Sequence, residues 1–183
     1  LSTAVVEKLR LNFPNSQIDF LLRKGNEGVL KGHPYIKNLF IWDKKGGKFK
    51  NLFKILFTVR ANKYDLVINL QRFATTGLFT AFSGGKLTVG YDKNPFSFLY
   101  NKKTKHRLGD KHEVVRNLDL IKEFTDEKIV KPKLYPSSSD FDKVKYLKAH
   151  KYLCLAPGSV WFTKQYPKEK WIELIDRLPK DYC

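Results

Sequence analysis

The chain has 183 residues and a mass of 21.4 kDa, enough for one ordinary domain and part of a second, and its 42% hydrophobic content excludes wholesale disorder. Its 35 lysines and arginines against 18 acidic residues give a net charge of +17, which indicates an anionic partner: phosphate, nucleic acid or an acidic membrane surface. Two cysteines, Cys154 and Cys183, are too few for a disulfide framework or a zinc site. We expect Cys154 to be a small buried side chain, because it lies in the apolar run 152–156.

Both ends of the sequence interrupt a structural pattern. The chain has no methionine, opens directly on an amphipathic helix over 4–11, and stops just after another amphipathic segment. The first residues lack the basic and apolar regions of a signal peptide, and no apolar run approaches the ~20 residues of a membrane-spanning helix. We therefore expect truncation at both ends and a reducing cytoplasm as the compartment.

Strands are predicted to alternate with helices through the first two thirds of the chain. Short apolar runs typical of strands occur at 18–22, 39–42, 65–70 and 86–90. Helical spacing occurs at 4–11, 50–61, 73–82 and 112–124, and residues 91–111 have the composition of a long basic loop. In the helix over 50–61, the predicted apolar face consists of Leu52, Phe53, Leu56, Phe57 and Val59. This alternation predicts the α/β fold class, with a parallel sheet covered by helices on both faces.

A change of composition divides the chain after residue 131. Residues 132–140 contain Pro136-Ser137-Ser138-Ser139 and have the composition of a linker. A polar helix over 141–149, a strand over 152–156 and a helix over 168–178 are predicted to follow. We therefore expect an α/β domain over 1–135, a linker with a connecting helix over 136–150, and the start of a second α/β domain over 151–183.

The loop after the predicted strand 152–156 is the first candidate site, because ligands bind at the carboxyl ends of strands in open parallel sheets. Gly158 lets the backbone approach a ligand, Ser159 and Thr163 offer hydroxyls, and Lys164 offers a cation suited to a phosphate. The spacing matches neither a Walker loop nor a dinucleotide glycine fingerprint. An ordinary loop with one solvated lysine explains the same residues equally well.

A basic and aromatic stretch is the second candidate site. Its cations are Lys102, Lys103, Lys105, His106, Arg107, Lys111, His112 and Arg116, with Phe96, Phe98 and Tyr100 just upstream. Such residues can bind bases and phosphates, hold an acidic glycan, or simply form a solvated loop. Arg72 stands out among the other arginines because it follows the strand 65–70, whereas His112 can equally mark a helix start. No pair of acids stands out as a general acid and base, and the remaining histidines show no metal-ligand spacing.

Three stretches resemble glycosyltransferase family 9, the ADP-heptose:lipopolysaccharide heptosyltransferases. They are Tyr64-Asp65-Leu66-Val67-Ile68-Asn69-Leu70-Gln71, Lys111-His112-Glu113-Val114, and Ala156-Pro157-Gly158-Ser159…Thr163-Lys164-Gln165-Tyr166-Pro167…Trp171. The last is similar to the family's Gly-Ser/Thr…Lys-x-Trp-Pro…Trp pattern, with Tyr166 in the place where tryptophan is usual. The resemblance extends over essentially the whole chain, and this last motif is its specific part.

The resemblance implies two Rossmann-like domains that face a cleft, the GT-B architecture, present here incompletely. Residues 1–135 would form the acceptor side and residues 151–183 the start of the nucleotide-sugar domain. The implied reaction is an inverting transfer of a heptose or similar sugar from an ADP-sugar to an anionic, lipid-linked inner-core acceptor, without a metal or another cofactor. The implied partners are these two substrates and the inner-membrane surface, which the protein would contact peripherally, and no nucleic acid is expected.

The resemblance also assigns roles to residues. It places the catalytic aspartate upstream of Leu1, so no catalytic residue is predicted within the chain and the 183 residues alone are expected to be inactive. It places Gly158, Ser159, Thr163 and Lys164 at the donor, and Arg72, His112 and Arg116 at the acceptor. The alternative hypothesis is a basic α/β module that binds nucleic acid without catalysis, and it rests on the net charge and on the basic and aromatic stretch. Against it, the cations are scattered through several segments and no recognition motif for RNA or DNA is present.

Overall fold

The helices and strands that the apolar periodicity predicts for the first 135 residues all occur, in the predicted order, together with one strand that it does not predict. The computed structural model describes residues 1–107, 109–149 and 151–179, in two compact units over 1–135 and 136–183. The strands are β1 (Asp19–Arg23), β2 (Asn38–Trp42), β3 (Leu66–Asn69), β4 (Leu87–Tyr91) and β5 (Lys102–Thr104). The helices are α1 (Thr3–Asn12), α2 (Lys48–Ala61), α3 (Ala74–Ala81), α4 (Glu113–Asp119), α5 (Ser138–Lys143) and α6 (Lys168–Asp176).

All strand pairs are parallel, which confirms the α/β fold class. Strands β1 and β2 form one pair, and β3, β4 and β5 form a three-stranded sheet with β4 in the centre. The described residues thus contain two ladders where the sequence predicts a single sheet. In the larger ladder Asn69 lies opposite Gly90, so the carboxyl ends of β3 and β4 meet at one edge.

The core of the first unit consists of two apolar clusters. The larger one joins α1, β4, α4 and the turn after α4 through buried side chains such as Ala4, Val89, Leu118 and Ile121. The smaller one joins β2, α2 and α3 through Trp42, Ile55, Val59 and Phe79. Burial of these side chains supplies the main free energy that holds the helices on the sheets. Among the described residues, no helix combines the length and the apolarity that crossing a bilayer requires.

The apolar face that the sequence predicts for α2 is wrong at Phe53 and Phe57, which do not pack into the core. Ile55 and Val59 turn inward and are 8% and 6% exposed, while Phe53 and Phe57 are 57% and 69% exposed. Apolar residues occur on both sides of this helix, so the sequence periodicity alone does not show which side packs on β2. The packed side is the one with the branched and smaller side chains.

The predicted basic loop over 91–111 contains regular structure that the sequence does not reveal. Residues Ser97–Leu99 form a 3-10 turn, and Lys102–Thr104 form β5 at the edge of the sheet. A short edge strand can carry charged side chains such as lysine, so this segment shows no apolar strand pattern. The next helix, α4, ends at Asp119 and not at the predicted residue 124. Backbone hydrogen bonds of the i→i+3 type continue the chain from there as far as Phe124.

The second unit departs further from the prediction. Residues 152–156 form no strand, and Cys154 is exposed, so both expectations for this run are wrong. A strand needs a neighbour, and the described part of residues 136–179 supplies no other strand that could pair with it. The predicted helix over 141–149 is divided into α5, which Ser137 caps, and a 3-10 segment over Lys145–Ala149. Cys183 lies outside the described residues.

Asn94 fixes the loop between β3 and α3. Its side chain is 2% exposed, and its Nδ2 donates to the carbonyl oxygens of Gln71 and Phe73 at 3.3 and 3.0 Å. Its Oδ1 accepts from the backbone N–H of Phe96 at 3.0 Å. The amide fits only because Gly77 has no side chain, since a Cβ there would lie 2.8 Å from Cγ of Asn94.

Replacing Gly77 by alanine should therefore destabilise the protein, although alanine normally favours a helix. Displacement of Asn94 from its three backbone partners should lower the free energy of unfolding by about 1–3 kcal/mol. Urea unfolding of Gly77→Ala measures the effect, and Gly28→Ala is the matched control because a Cβ at Gly28 meets open space. Equal stability of the two variants would contradict this account of the loop.

Candidate functional site

A polar cavity of about 210 Å³ lies at the carboxyl end of β3 and the start of α4. Its lining residues are Leu70, Gln71, Arg72, Phe73, His106, Glu113 and Arg116. Two of the three predicted acceptor residues, Arg72 and Arg116, thus come together although 43 positions separate them along the chain. The parallel topology explains this meeting, because it carries the ends of successive strands to one edge.

The end of β3 is shaped so that the chain turns into the cavity. Asn69 is buried, its Nδ2 donates to the hydroxyl of Tyr100 at 2.9 Å, and its Oδ1 accepts from the backbone N–H of Gln71 at 2.8 Å. The ring of Tyr100 occupies the space beside Gly90, where an added Cβ would lie 2.9 Å from Cδ2. These contacts hold Gln71 and Arg72 at the edge of the sheet.

Arg116 is partly neutralised inside the cavity. Its guanidinium pairs with Glu113 and donates from Nη1 to the carbonyl oxygen of Lys111 at 2.9 Å, and its side chain is 14% exposed. Its Nε is buried and has no hydrogen-bond partner among the described residues. A buried donor without an acceptor is costly, so Nε makes the pairing of Arg116 with Glu113 less favourable than a fully satisfied one.

His106 is a cavity residue that the sequence analysis did not assign to a role. Its side chain packs edge-on against Tyr91 with ring centroids 4.7 Å apart, and its backbone N–H donates to Asp92 at 2.9 Å. Its Nδ1 is buried and has no partner in the described part of the chain. Burial lowers the pKa of His106 most, and the positive charges of Arg72 and Arg116 lower this pKa further, against an opposing effect of Glu113.

His112 does not line this cavity, and its position supports the alternative interpretation of the sequence. It is the N-cap of α4, where its Nδ1 accepts from the backbone N–H of Val114 at 3.3 Å. The role in acceptor binding that the resemblance assigns to His112 therefore stays a prediction without a cavity contact behind it.

The four predicted donor residues lie together in one exposed loop of the second unit. The Ser159 hydroxyl accepts from the backbone N–H of Trp161 at 3.1 Å, and Gln165 Nε2 donates to the Ser159 carbonyl at 2.8 Å. Thr163 and Lys164 follow in a 3-10 turn over Phe162–Lys164. A Cβ at Gly158 would meet nothing within 4 Å, so the backbone there is open to approach.

A larger, apolar hollow of about 730 Å³ lies next to this loop. Its walls include the edge-on ring pair Tyr166 and Trp171, whose centroids are 5.3 Å apart. Ser159, Thr163 and Lys164 do not line this hollow, whereas Gln165 does. The tyrosine that stands in place of the family's usual tryptophan thus packs on the last tryptophan of the motif. In the described residues, no three metal-ligating side chains come close enough to hold an ion.

Comparison with known proteins places this fold in a family. The sequence model described as glycosyltransferase family 9 (heptosyltransferase) matches residues 52–183. Lipopolysaccharide heptosyltransferase 3 of Escherichia coli K12 is 40% identical over 74 residues, which are 38% of this chain and 22% of that protein. Lipopolysaccharide heptosyltransferase 1 of Campylobacter coli is 26% identical over an alignment 197 positions long, which covers 99% of this chain and 57% of that protein. The chain thus spans less than two thirds of the length of these curated relatives.

Solved structures share the fold at low sequence identity. The family 9 glycosyltransferase of Veillonella parvula superposes with a TM-score of 0.83 at 20% identity and covers 96% of this chain and 54% of its own. Escherichia coli heptosyltransferase WaaC with ADP superposes with a TM-score of 0.68 at 15% identity and covers 96% and 59%. Because the family model spans well over half of the sequence, the chain belongs to glycosyltransferase family 9, the heptosyltransferase family.

Proposed function

We propose that the protein is an inverting glycosyltransferase that moves a heptose or similar sugar from an ADP-sugar to an anionic acceptor in the lipopolysaccharide inner core. The observation that carries this proposal is the cationic cavity that Arg72, His106 and Arg116 line in a member of family 9. Among the structural relatives, WaaC of Escherichia coli was solved with ADP and with ADP-2-deoxy-2-fluoro heptose. Those ligands support an ADP-sugar as the donor here.

In this proposal the first unit is the acceptor side of a GT-B enzyme. Arg72 is exposed at the end of β3, and Arg116 lines the same cavity, so both guanidinium groups can hold an oxyanion of the acceptor. Glu113 is the acidic side chain of the cavity lining, and it pairs with Arg116. The proposal therefore gives Glu113 the role of positioning Arg116 and names no catalytic base within the described residues.

The second unit would begin the nucleotide-sugar domain. The open backbone at Gly158 and the hydroxyls of Ser159 and Thr163 suit contact with a diphosphate. Lys164 is exposed and forms no ion pair among the described residues, so its ammonium is available to the donor. When the sugar–phosphate bond breaks, negative charge builds on the departing ADP, and a fixed cation lowers the energy of that transition state.

The alternative, a basic module that binds nucleic acid, has less structural support. Lys102 pairs with Glu123, and Lys111 pairs with Asp119, so part of the basic stretch is neutralised within the fold. A steep salt dependence of binding to generic DNA, without any response to ADP-sugars, would favour this alternative.

A transfer assay tests the proposed function directly. The gene product that carries this sequence is incubated with ADP-heptose and a heptose-deficient lipopolysaccharide, and mass spectrometry follows the acceptor while ADP release is recorded. We expect the acceptor to gain one heptose, with the anomeric configuration opposite to that of the donor. ADP release without sugar transfer, or no reaction with any ADP-sugar, would contradict the proposal.

Lys164→Ala in that gene product should lower turnover as well as donor binding. Loss of one cation from the leaving-group site should cost about 2–4 kcal/mol, or roughly 30- to 1000-fold in rate. Lys164→Arg should retain part of the activity, because the charge survives with a different reach. Lys170→Ala, an exposed lysine on α6, is the control, and unchanged kinetics for Lys164→Ala would identify an ordinary solvated lysine.

Arg72→Gln should act on the other substrate. Removal of a charged donor from the cavity should raise the KM for the acceptor about 10- to 100-fold, with little change in the KM for the donor. Arg107→Gln, exposed and outside the cavity lining, should leave both constants unchanged. Steady-state kinetics with each substrate varied separately provides the measurement. A larger increase in the KM for the donor than in the KM for the acceptor would refute the assignment of Arg72 to the acceptor side.

The titration of His106 should report an anion in the cavity. In the free protein its pKa should lie below the ordinary value of about 6.5, and sulfate should raise this pKa because an anion stabilises the imidazolium. Because the pKa of His106 is lower in the folded than in the unfolded chain, the unfolded chain binds the proton at a higher pH. The contribution of His106 to stability should therefore fall as the pH drops below about 6.5.

Imidazole NMR resonances measure this pKa, and His33, buried beside Glu7 and outside the cavity lining, serves as the control that sulfate should not affect. Arg72→Gln should raise the pKa of His106 in the free protein. A His106 that titrates at or above 6.5, or that ignores sulfate, would argue against an anion site.

A further inference from the structure

Helix α2 carries a row of exposed phenylalanine side chains on the side opposite its packed face. Phe53 and Phe57 are 57% and 69% exposed, and Phe49, one turn earlier, is 61% exposed. Residues four positions apart lie on the same face of a helix, about 6 Å apart along its axis. Scattered apolar side chains on a surface need no explanation, but a row of large aromatic rings marks an interaction site.

Lysines accompany this row. Lys50 and Lys54 are both exposed, and each lies three positions before one of the two phenylalanines, so each is its neighbour on the helix surface. The sequence between Asp43 and Asp65 contains no acidic residue. The aromatic row therefore lies in a segment of the chain whose charged side chains are all cationic.

We propose that this surface, the phenylalanine–lysine face of Lys50, Phe53, Lys54 and Phe57, docks onto an anionic lipid bilayer. The rings enter the boundary between headgroups and acyl chains, and the two ammonium groups remain at the level of the lipid phosphates. The proposal deepens the proposed function, on which it rests for the identity of the membrane, by naming the surface through which the protein meets a lipid-linked acceptor.

The shape of the surface favours lipid over nucleic acid. Proteins that bind single strands place aromatic rings and cations along a groove that follows the phosphate backbone. Here Phe53 and Phe57 are exposed one turn apart on a single helix, a geometry that suits insertion into a planar interface. Ile55 and Val59 hold the opposite side of α2 in the core, so the helix can lie flat without losing its packing.

Vesicle flotation with the 183-residue chain tests the proposal. We expect binding to vesicles of 70% phosphatidylcholine and 30% phosphatidylglycerol, weak binding to pure phosphatidylcholine, and release at high salt. Phe53→Ser combined with Phe57→Ser should weaken binding roughly 30-fold, because two half-exposed rings no longer leave water. Lys50→Gln combined with Lys54→Gln should weaken it by a similar factor on the anionic vesicles alone.

Matched controls are Phe98→Ser and Lys93→Gln, exposed residues of the same unit outside α2, and circular dichroism checks that every variant folds. Unchanged vesicle binding in both double variants would overturn the proposal. It would also fail if the same residues were needed for a single-stranded oligonucleotide or for self-association in sedimentation, while vesicles were not bound. The vesicles contain neither donor nor acceptor, so an inactive transferase that still binds them would refute the proposed function alone.

Discussion

The buried amide of Asn94 is the contact on which the geometry of the cavity depends. It joins the loop after β3 to the loop after β4, and so adds to the pairing of the two strands a direct tie between the segments that follow them. Since Arg72 lies between the two carbonyl groups that Asn94 holds, its backbone is fixed before any ligand arrives. The absence of a side chain at Gly77 is the steric condition for this arrangement. A site built in this way is preorganised, so a ligand does not have to order the loop.

The electrostatics of the cavity follow from burial as much as from charge. Burial lowers the pKa of His106, and the guanidinium groups of Arg72 and Arg116 lower it further. Its imidazole therefore stays neutral at a pH where an exposed histidine begins to ionise. Glu113 neutralises part of Arg116 but leaves its Nε without an acceptor. The cavity therefore offers a moderate positive potential with guanidinium and imidazole groups in its lining, which suits reversible binding of an oxyanion.

Local pattern and topology together predict much of this structure. The position of Arg72 follows from one rule about the ends of parallel strands, applied to a strand that the sequence shows clearly. His106 could not be found in this way, because its burial depends on contact with Tyr91, which no local pattern encodes. Phe53 was assigned to the wrong face because α2 is apolar on two sides, and Cys154 was expected inside because a strand pattern says nothing about whether a neighbouring strand is present.

The short edge strand β5 has a consequence for the behaviour of the protein in concentrated solution. An open strand edge is a template on which a second molecule can continue the sheet, and this route leads to aggregates. Lys102 is paired with Glu123, whereas Lys103 on the same strand is exposed, so two molecules that met there would bring two like charges together. A charged side chain at this position opposes edge-to-edge polymerisation, a consequence that is independent of any substrate.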